Sequence, residues 1–297
     1  MAKFKRLIEK ALLREKQILL SNGANYNQAV FLAGGAGSGK GFASKKFMQG
    51  EKFRRFDVDR WKENFLDLAG ETEKYPEISN LNLQNPQDVS KLHRFVKDKG
   101  IHNRFVNNVL KNNERGRLPN VMFDVTLKEV DKLERFIPLL HESGYSSQNV
   151  HLVWVLADYE IAVKRNRNRE RIVPQDILLK THTGAANTII DLVDSGNLRG
   201  LDGSVHVILN NPEHTVFYAD EDGDPIETSG EPVELPGGME QTQEYKPEIT
   251  VEDFEYLTLK QKGKPFRSPI EIKETLAQWI KRNAPKMVTT WEKLSAL

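Results

Sequence analysis

Residues able to handle a phosphate group gather between Ala29 and Met48. An apolar run, Ala29 to Ala33, is followed by Gly34, Gly35, Gly37 and Gly39, with Lys40 directly after and a helix-compatible run to Met48. Strand, glycine loop, lysine, helix is the layout of a phosphate-binding loop. Glycines let the chain turn tightly, so that the amides of Gly35, Ala36, Gly37, Ser38, Gly39, Lys40 and Gly41 face one concavity. The helix N-terminus adds positive potential there, and the Lys40 ammonium supplies a point charge for the outer phosphates. Gly34 to Lys40 meets the spacing G-x-x-x-x-G-K, but Gly41 stands where the pattern asks for Ser or Thr. The missing hydroxyl is the one that normally ligates Mg²⁺, and Ser44 lies a helical turn too far along to replace it. A glycine-rich turn with no ligand is the competing reading.

Carboxylates come next. Asp57 and Asp59 close the run Phe53 to Val58, read as a second strand. Alternation puts both on one side if the strand persists, where they can meet a substrate hydroxyl or a hydrated Mg²⁺. Capping the following helix is the alternative. Asp124 ends a third strand, Pro119 to Thr126, as a Walker-B-like residue does. It can hold Mg²⁺ through water, with Thr126 facing the same cleft, or it can cap the helix read over Lys128 to Leu140.

Cations are concentrated between Lys164 and Arg171. On a helix Arg165 and Arg169 share one face, and Lys164, Arg167 and Arg171 another. The run is either a solvated basic helix or a lid over phosphates, stopped at Pro174.

Elements must position these groups. Residues 1–20 read as an amphipathic helix ended at Gly23, packing on the core or lying on a membrane or nucleic acid. Residues 70–90 read mostly as loop, and 88–113 as two helices broken at Gly100. Val150 to Ala157 is a continuous apolar strand suited to a parallel sheet covered on both faces. Val205 to Leu209 is a fifth strand. A hairpin around Asp220 to Asp224 reads as turn chemistry, with Ca²⁺ as the alternative. Residues 228–250 read as a linker, and Ile270 to Arg282 as a last helix. Three segments result: 1–25, a core over 26–210 with its lid near 160–185, and 211–297.

Apolar residues make up 38% and charged residues 29% of the 297, which fits a soluble globular protein. No apolar run reaches a membrane span, and no signal peptide is evident. With no cysteine there is no disulfide and no thiolate chemistry, which fits a cytoplasmic location. The net charge of +1 hides an asymmetry. Residues 91–117 carry eight Lys/Arg against two Asp/Glu; residues 213–255 carry one Lys against fourteen Asp/Glu. The first stretch, with Arg104 on its Asn-rich face, is either solvated or attracts a phosphate backbone. The oligomeric state is not readable from these patterns.

Five strands between helices, the glycine loop, Asp57-x-Asp59 and an R-x-R-x-R helix before a proline resemble the P-loop kinases related to zeta toxins and polynucleotide kinases. That resemblance spans roughly residues 28–210. It implies an α/β P-loop NTPase three-layer sandwich, a five-stranded parallel sheet of order 2-3-1-4-5, an N-terminal helix and a C-terminal extension. It implies ATP and Mg²⁺, with Asp59 as base toward a hydroxyl, Lys40 on the phosphates, and lid arginines drawn from Arg165, Arg167, Arg169 and Arg171. Phe31 to Phe42 is similar to phage kinases of 5-hydroxymethyluracil in DNA. The implied acceptor is that base, with Asp57, Asp124, Thr126 and Arg104 on the substrate side and a host-cytoplasm location. A nucleotide-sugar kinase is the alternative, and a nucleotide-binding module without transfer chemistry is the third reading.

Overall fold

A computed structural model describes residues 16–18, 20, 26–48, 52–72, 74–110, 118–169, 172–196, 198–220, 222–229, 247–264 and 267–286. The main sheet contains β1 (Ala29–Ala33), β2 (Arg54–Asp57), β3 (Val121–Asp124), β4 (Val150–Leu156), β5 (Val205–Leu209) and β10 (Tyr256–Lys260). Its order is β2-β3-β1-β4-β5-β10. The first five are parallel, in the expected order 2-3-1-4-5. The five-strand expectation needs correction, because β10 adds a sixth strand antiparallel to β5. Tyr256-Leu-Thr-Leu-Lys is short and lies beyond an acidic stretch, so its periodicity was weak evidence for a sheet strand.

Alternation along β1 explains the two apolar layers. Ala29, Phe31 and Ala33 enter one core with Phe56, Phe123 and Trp154, while Val30 and Leu32 enter another with Met122, Val153 and Ile208. Every residue of β1, β4 and β5 is buried. Such continuous burial is what parallel strands covered on both faces require. The first layer is covered by α2 (Val58–Glu71), α3 (Pro86–Asp98), α4 (Ile101–Phe105), α5 (Asp131–Glu142), α7 (Gln175–Asp194) and α8 (Pro269–Asn283). Phe31 and Phe123 stack at 4.8 Å within it. The second layer is covered by α1 (Lys40–Phe47) and by β9 (Val251–Phe254), whose Phe254 stacks on Phe47 at 3.9 Å. β9 pairs with β6 (Thr215–Phe217).

Several boundaries move. The helix read over 1–20 falls mostly outside the described residues, as does Gly23. Within its span Lys16 to Ile18 is not helical, and the Ile18 amide donates to Phe47 O instead. Gly100 does break the basic stretch, with φ +65, but the second helix widens into a π-turn over Val106–Leu110. The two ends of the linker read over 228–250 are strands, β7 (Glu227–Ser229) pairing with β8 (Pro247–Ile249), and residues 230–246 lie outside the described residues. Asp220 Oδ1 accepts from the amides of Asp222 and Asp224, which makes the acidic hairpin a turn.

Buried histidines set a pH dependence. His151 receives Ser204 N on Nδ1, so its Nε2 carries the proton and donates to Gln28 Oε1 at 2.9 Å. Burial pushes His151 down to about 3, and His182 and His206 each to about 4, from 6.5. Below 6.5 the unfolded chain takes up protons that the folded chain refuses, so acidification favours unfolding. The urea midpoint should therefore fall steadily between pH 6.5 and 4, and less steeply in His206→Gln. A flat midpoint over that window would contradict this.

Candidate active site

The carboxyl ends of the parallel strands form one edge, and β1 sits between β3 and β4 at its centre. Ligands of open α/β sheets bind at such an edge, where strand order reverses. The glycine loop leaves β1 there and enters α1. Gly39 takes the left-handed N-cap position, φ 83, with no side chain capping the helix, which leaves its first amides open. A Cβ on Gly39 would stand 2.0 Å from Asn210 Nδ2, and one on Gly37, φ +76, 2.4 Å from Ala162 O. These two positions need glycine for both conformation and space. Lys40 Nζ donates to Gly34 O at 2.9 Å and Gly35 O at 3.3 Å, and lies 3.9 Å from Asp124 Oδ1. The ammonium is thus folded over the loop mouth, beside the third strand's aspartate.

Two elements clamp the loop from outside. The Ala36 amide donates to Thr181 Oγ1 at 3.1 Å, and His182 Nε2 lies 2.6 Å from Ala36 O. Desolvation holds His182 neutral, so Nε2–H can be the donor. Asn210, the residue after β5, donates from Nδ2 to Ser38 O at 2.8 Å. Neither clamp was evident from the sequence; Asn210 could have been found as the first residue past a strand at this edge. A Cβ on Gly35 would meet His182 Cδ2 at 2.1 Å. Gly35→Ala should then cost about 1–3 kcal/mol of stability, as overpacking does. In a His182→Ala background most of that cost should vanish in urea unfolding. Additive losses would contradict the clamp.

The carboxylates lie on the β2–β3 side. Asp57 and Asp124 are register partners at the ends of their strands. Strand β2 stops at Asp57, so Asp59 stands in the first turn of α2 and not on an extended strand as the sequence suggested. Asp57 caps that helix by accepting the Asp59 amide at 2.9 Å. Asp59 Oδ1 receives Lys62 Nζ at 3.0 Å. The Asp59 side chain is 43% exposed and that of Asp57 22%, which leaves Asp59 the more accessible carboxylate. Burial, then the charge of Asp124, raises the pKa of Asp57. Arg55, which no motif in the sequence singles out, lies between them. Its Nη2 donates to Asp124 Oδ2, and its Nε is 3.6 Å from Asp57 Oδ2. Its spacing of two from Asp57 was the available signal. Thr126 touches the loop through its backbone, its carbonyl accepting Gly34 N at 3.3 Å.

The arginine run is divided by the fold. Helix α6 (Tyr159–Arg167) ends before Arg169, so Arg165 and Arg169 share no helical face. Arg171 lies outside the described residues. Arg165 Nη1 donates to Asn210 O at 2.8 Å, on the β4–β5 side of the loop. With strands about 4.8 Å apart, that is four strand spacings from β2, so Arg165 as held here borders the loop and not the carboxylates. Arg167 is exposed and lines a cleft of about 380 Å³ with Tyr159, Val163, Lys164 and Gln175, whose lining includes no residue of the glycine loop. Near the end of α6, Asn166 donates to Val173 O at 2.7 Å and accepts Val173 N at 3.0 Å. Arg104 is exposed on α4, while its neighbour Phe105 packs on Phe56.

The donor set does not fit a magnesium ion held directly by the protein. Gly41 offers no hydroxyl, and Ser44, one helical turn further on, is buried with its Oγ turned back to donate to Gly41 O at 3.0 Å. Asp124, the water-mediated ligand expected from sequence, is paired by Arg55 and approached by Lys40. No group of three or more metal-ligating side chains occurs among the described residues.

A family model described as zeta toxin matches residues 10–222. No curated protein matches the chain in sequence. Among solved structures, one from the PezAT chromosomal toxin-antitoxin system of Streptococcus pneumoniae is 16% identical, covering 70% of this chain and 78% of its own, with TM-score 0.43. AvrRxo1-ORF1:-ORF2 with ATP is 16% identical, covering 74% and 63%, with TM-score 0.44. Deoxyadenosine kinase from M. mycoides is 13% identical, covering 56% and 85%, with TM-score 0.31.

Proposed function

The chain belongs to the zeta toxin family, and on that premise we propose that it is an ATP-dependent kinase with a hydroxyl group as acceptor. One observation carries the reading. An uncapped glycine loop with Lys40 at its mouth opens on the same sheet edge as an accessible aspartate one element away. The amides from Gly37 to Gly41 hold the triphosphate, except that of Ser38, which like that of Ala36 is engaged within the protein, and Lys40 leaves the Gly34 carbonyl for the outer phosphates. Asp59 takes the acceptor's proton as its oxygen attacks the γ-phosphorus. The bond from that phosphorus to the bridging oxygen breaks, and ADP leaves. Lys62 orients the Asp59 carboxylate. The clamped loop keeps the donors in place before the nucleotide arrives, which is where preorganised electrostatic catalysis gets its advantage.

We take the acceptor to be a small molecule of the nucleotide-sugar class. Two cations of the basic stretch have partners of their own: Lys91 pairs with Asp88, and Lys99 lies over the rings of Phe95 and Tyr75. Its Lys111, Arg115 and Arg117 fall outside the described residues. A DNA acceptor, the hydroxymethyl group of 5-hydroxymethyluracil, is the second reading, favoured by the exposed Arg94, Lys97 and Arg104. Incubation with γ-labelled ATP and parallel nucleotide sugars, plain DNA and hydroxymethyluracil DNA separates the two. Label in a nucleotide sugar is expected. Label only in modified DNA would transfer the assignment to the second reading, and label in none would leave a binding module. No helix among the described residues is long and apolar enough to cross a membrane.

A further inference from the structure

At the β2–β3 end of the site, three cations face three carboxylates: Lys40, Arg55 and Lys62 against Asp57, Asp59 and Asp124. Lys40 has an evident exit toward phosphate, and Lys62 is committed to Asp59. Arg55 is different. It reaches Asp57 and Asp124 together, from the middle of an edge strand. Its Nε is buried and lacks a hydrogen-bond acceptor among the described residues, so its hold on Asp57 is electrostatic, across 3.6 Å. Without it, two register-partnered carboxylates would stand side by side facing an incoming polyanion. Two such carboxylates are what a divalent cation would be expected to bridge.

We propose that Arg55 fills the place from which Asp57 and Asp124 would otherwise hold a metal ion, so that nucleotide binding needs no metal ligand from this protein. The inference rests on the phosphotransferase reading of the loop. It makes Arg55 a positioning residue, acting through the two aspartates. It also accounts for Gly41: where the protein does not grip the metal, the hydroxyl of the usual loop has no task. A side chain there would be tolerated, since a Cβ on Gly41 meets nothing within 4 Å.

Calorimetric titration with ADP, in magnesium and in EDTA, tests this with a readout that does not depend on turnover. For the wild-type chain the two Kd values should agree within about threefold. In Arg55→Gln the freed aspartates repel the nucleotide without metal and ligate the metal when it is present, so the ratio should open to about tenfold or more. Gly41→Ser with Arg55 in place should leave the ratio near the wild-type value. A wild-type ratio already beyond about tenfold, or a folded Arg55→Gln variant with an unchanged ratio, overturns the proposal. Should Arg55→Gln fail to fold, EPR of Mn²⁺·ADP on the wild-type chain decides: no protein oxygen in the inner sphere is expected, and one found there refutes it. Absence of nucleotide binding with and without metal would instead remove the kinase reading, and this inference with it.

Discussion

Lys40→Ala is expected to lower phosphoryl transfer by about 10²–10³-fold or more, the usual cost of deleting a charge-stabilising donor from a preorganised site. The side chain is 14% exposed and donates to two loop carbonyls, Gly34 O and Gly35 O. Removing it therefore takes away both the charge for the outer phosphates and an internal tie of the loop. The backbone amides, the αL turn at Gly39 and the Asn210 clamp all remain. ADP, held mainly by those amides in the proposed mode, should lose less affinity than turnover loses rate. A labelled-phosphate assay beside a binding titration separates the two effects. Near-normal turnover in this variant would mean that the loop does not hold the reacting nucleotide.

Asp59→Asn should reduce turnover by about 10²–10⁴-fold, the range attributed to general acid–base groups, while ATP binding stays close to wild type. The substitution keeps the shape of the side chain in the first turn of α2 and disturbs little packing. Asp57→Asn is the control. Asparagine caps helices as well as aspartate does, so the bond from the Asp59 amide survives and the loss should be far smaller. If the pattern is reversed, the base is Asp57, whose raised pKa already marks it as a carboxylate under strain from burial and from Asp124.

The central layout was legible because its physics is local. A continuous apolar run, glycines at fixed spacing and a following lysine specify a strand, a turn and a helix without reference to the rest of the chain. The order of the first five strands came with the family resemblance, and the pairings observed agree with it. What was not legible depends on partners far along the chain. Asp59 reads as strand by alternation, but the Asp57 cap starts a helix one residue earlier. Arg165 and Arg169 share a face only in a helix that continues, and the Asn166–Val173 clasp belongs to one that stops. His182 and Asn210 touch the loop from residues 146 and 172 positions away. Arg55 appears as one more charge on an edge strand until its register beside Asp124 is known. β10 joins the sheet only because β5 offers it an open edge, and no pattern within Tyr256–Lys260 says so.

A crystal structure of the chain with a non-hydrolysable ATP analogue tests the central assignment most directly. The β-phosphate should lie within the bend formed by Gly37 to Gly41, with Lys40 Nζ moved from Gly34 O onto the outer phosphates and the terminal phosphate directed toward Asp59. An analogue bound elsewhere, or bound in the bend with its terminal phosphate pointing to the β4–β5 side, would contradict it.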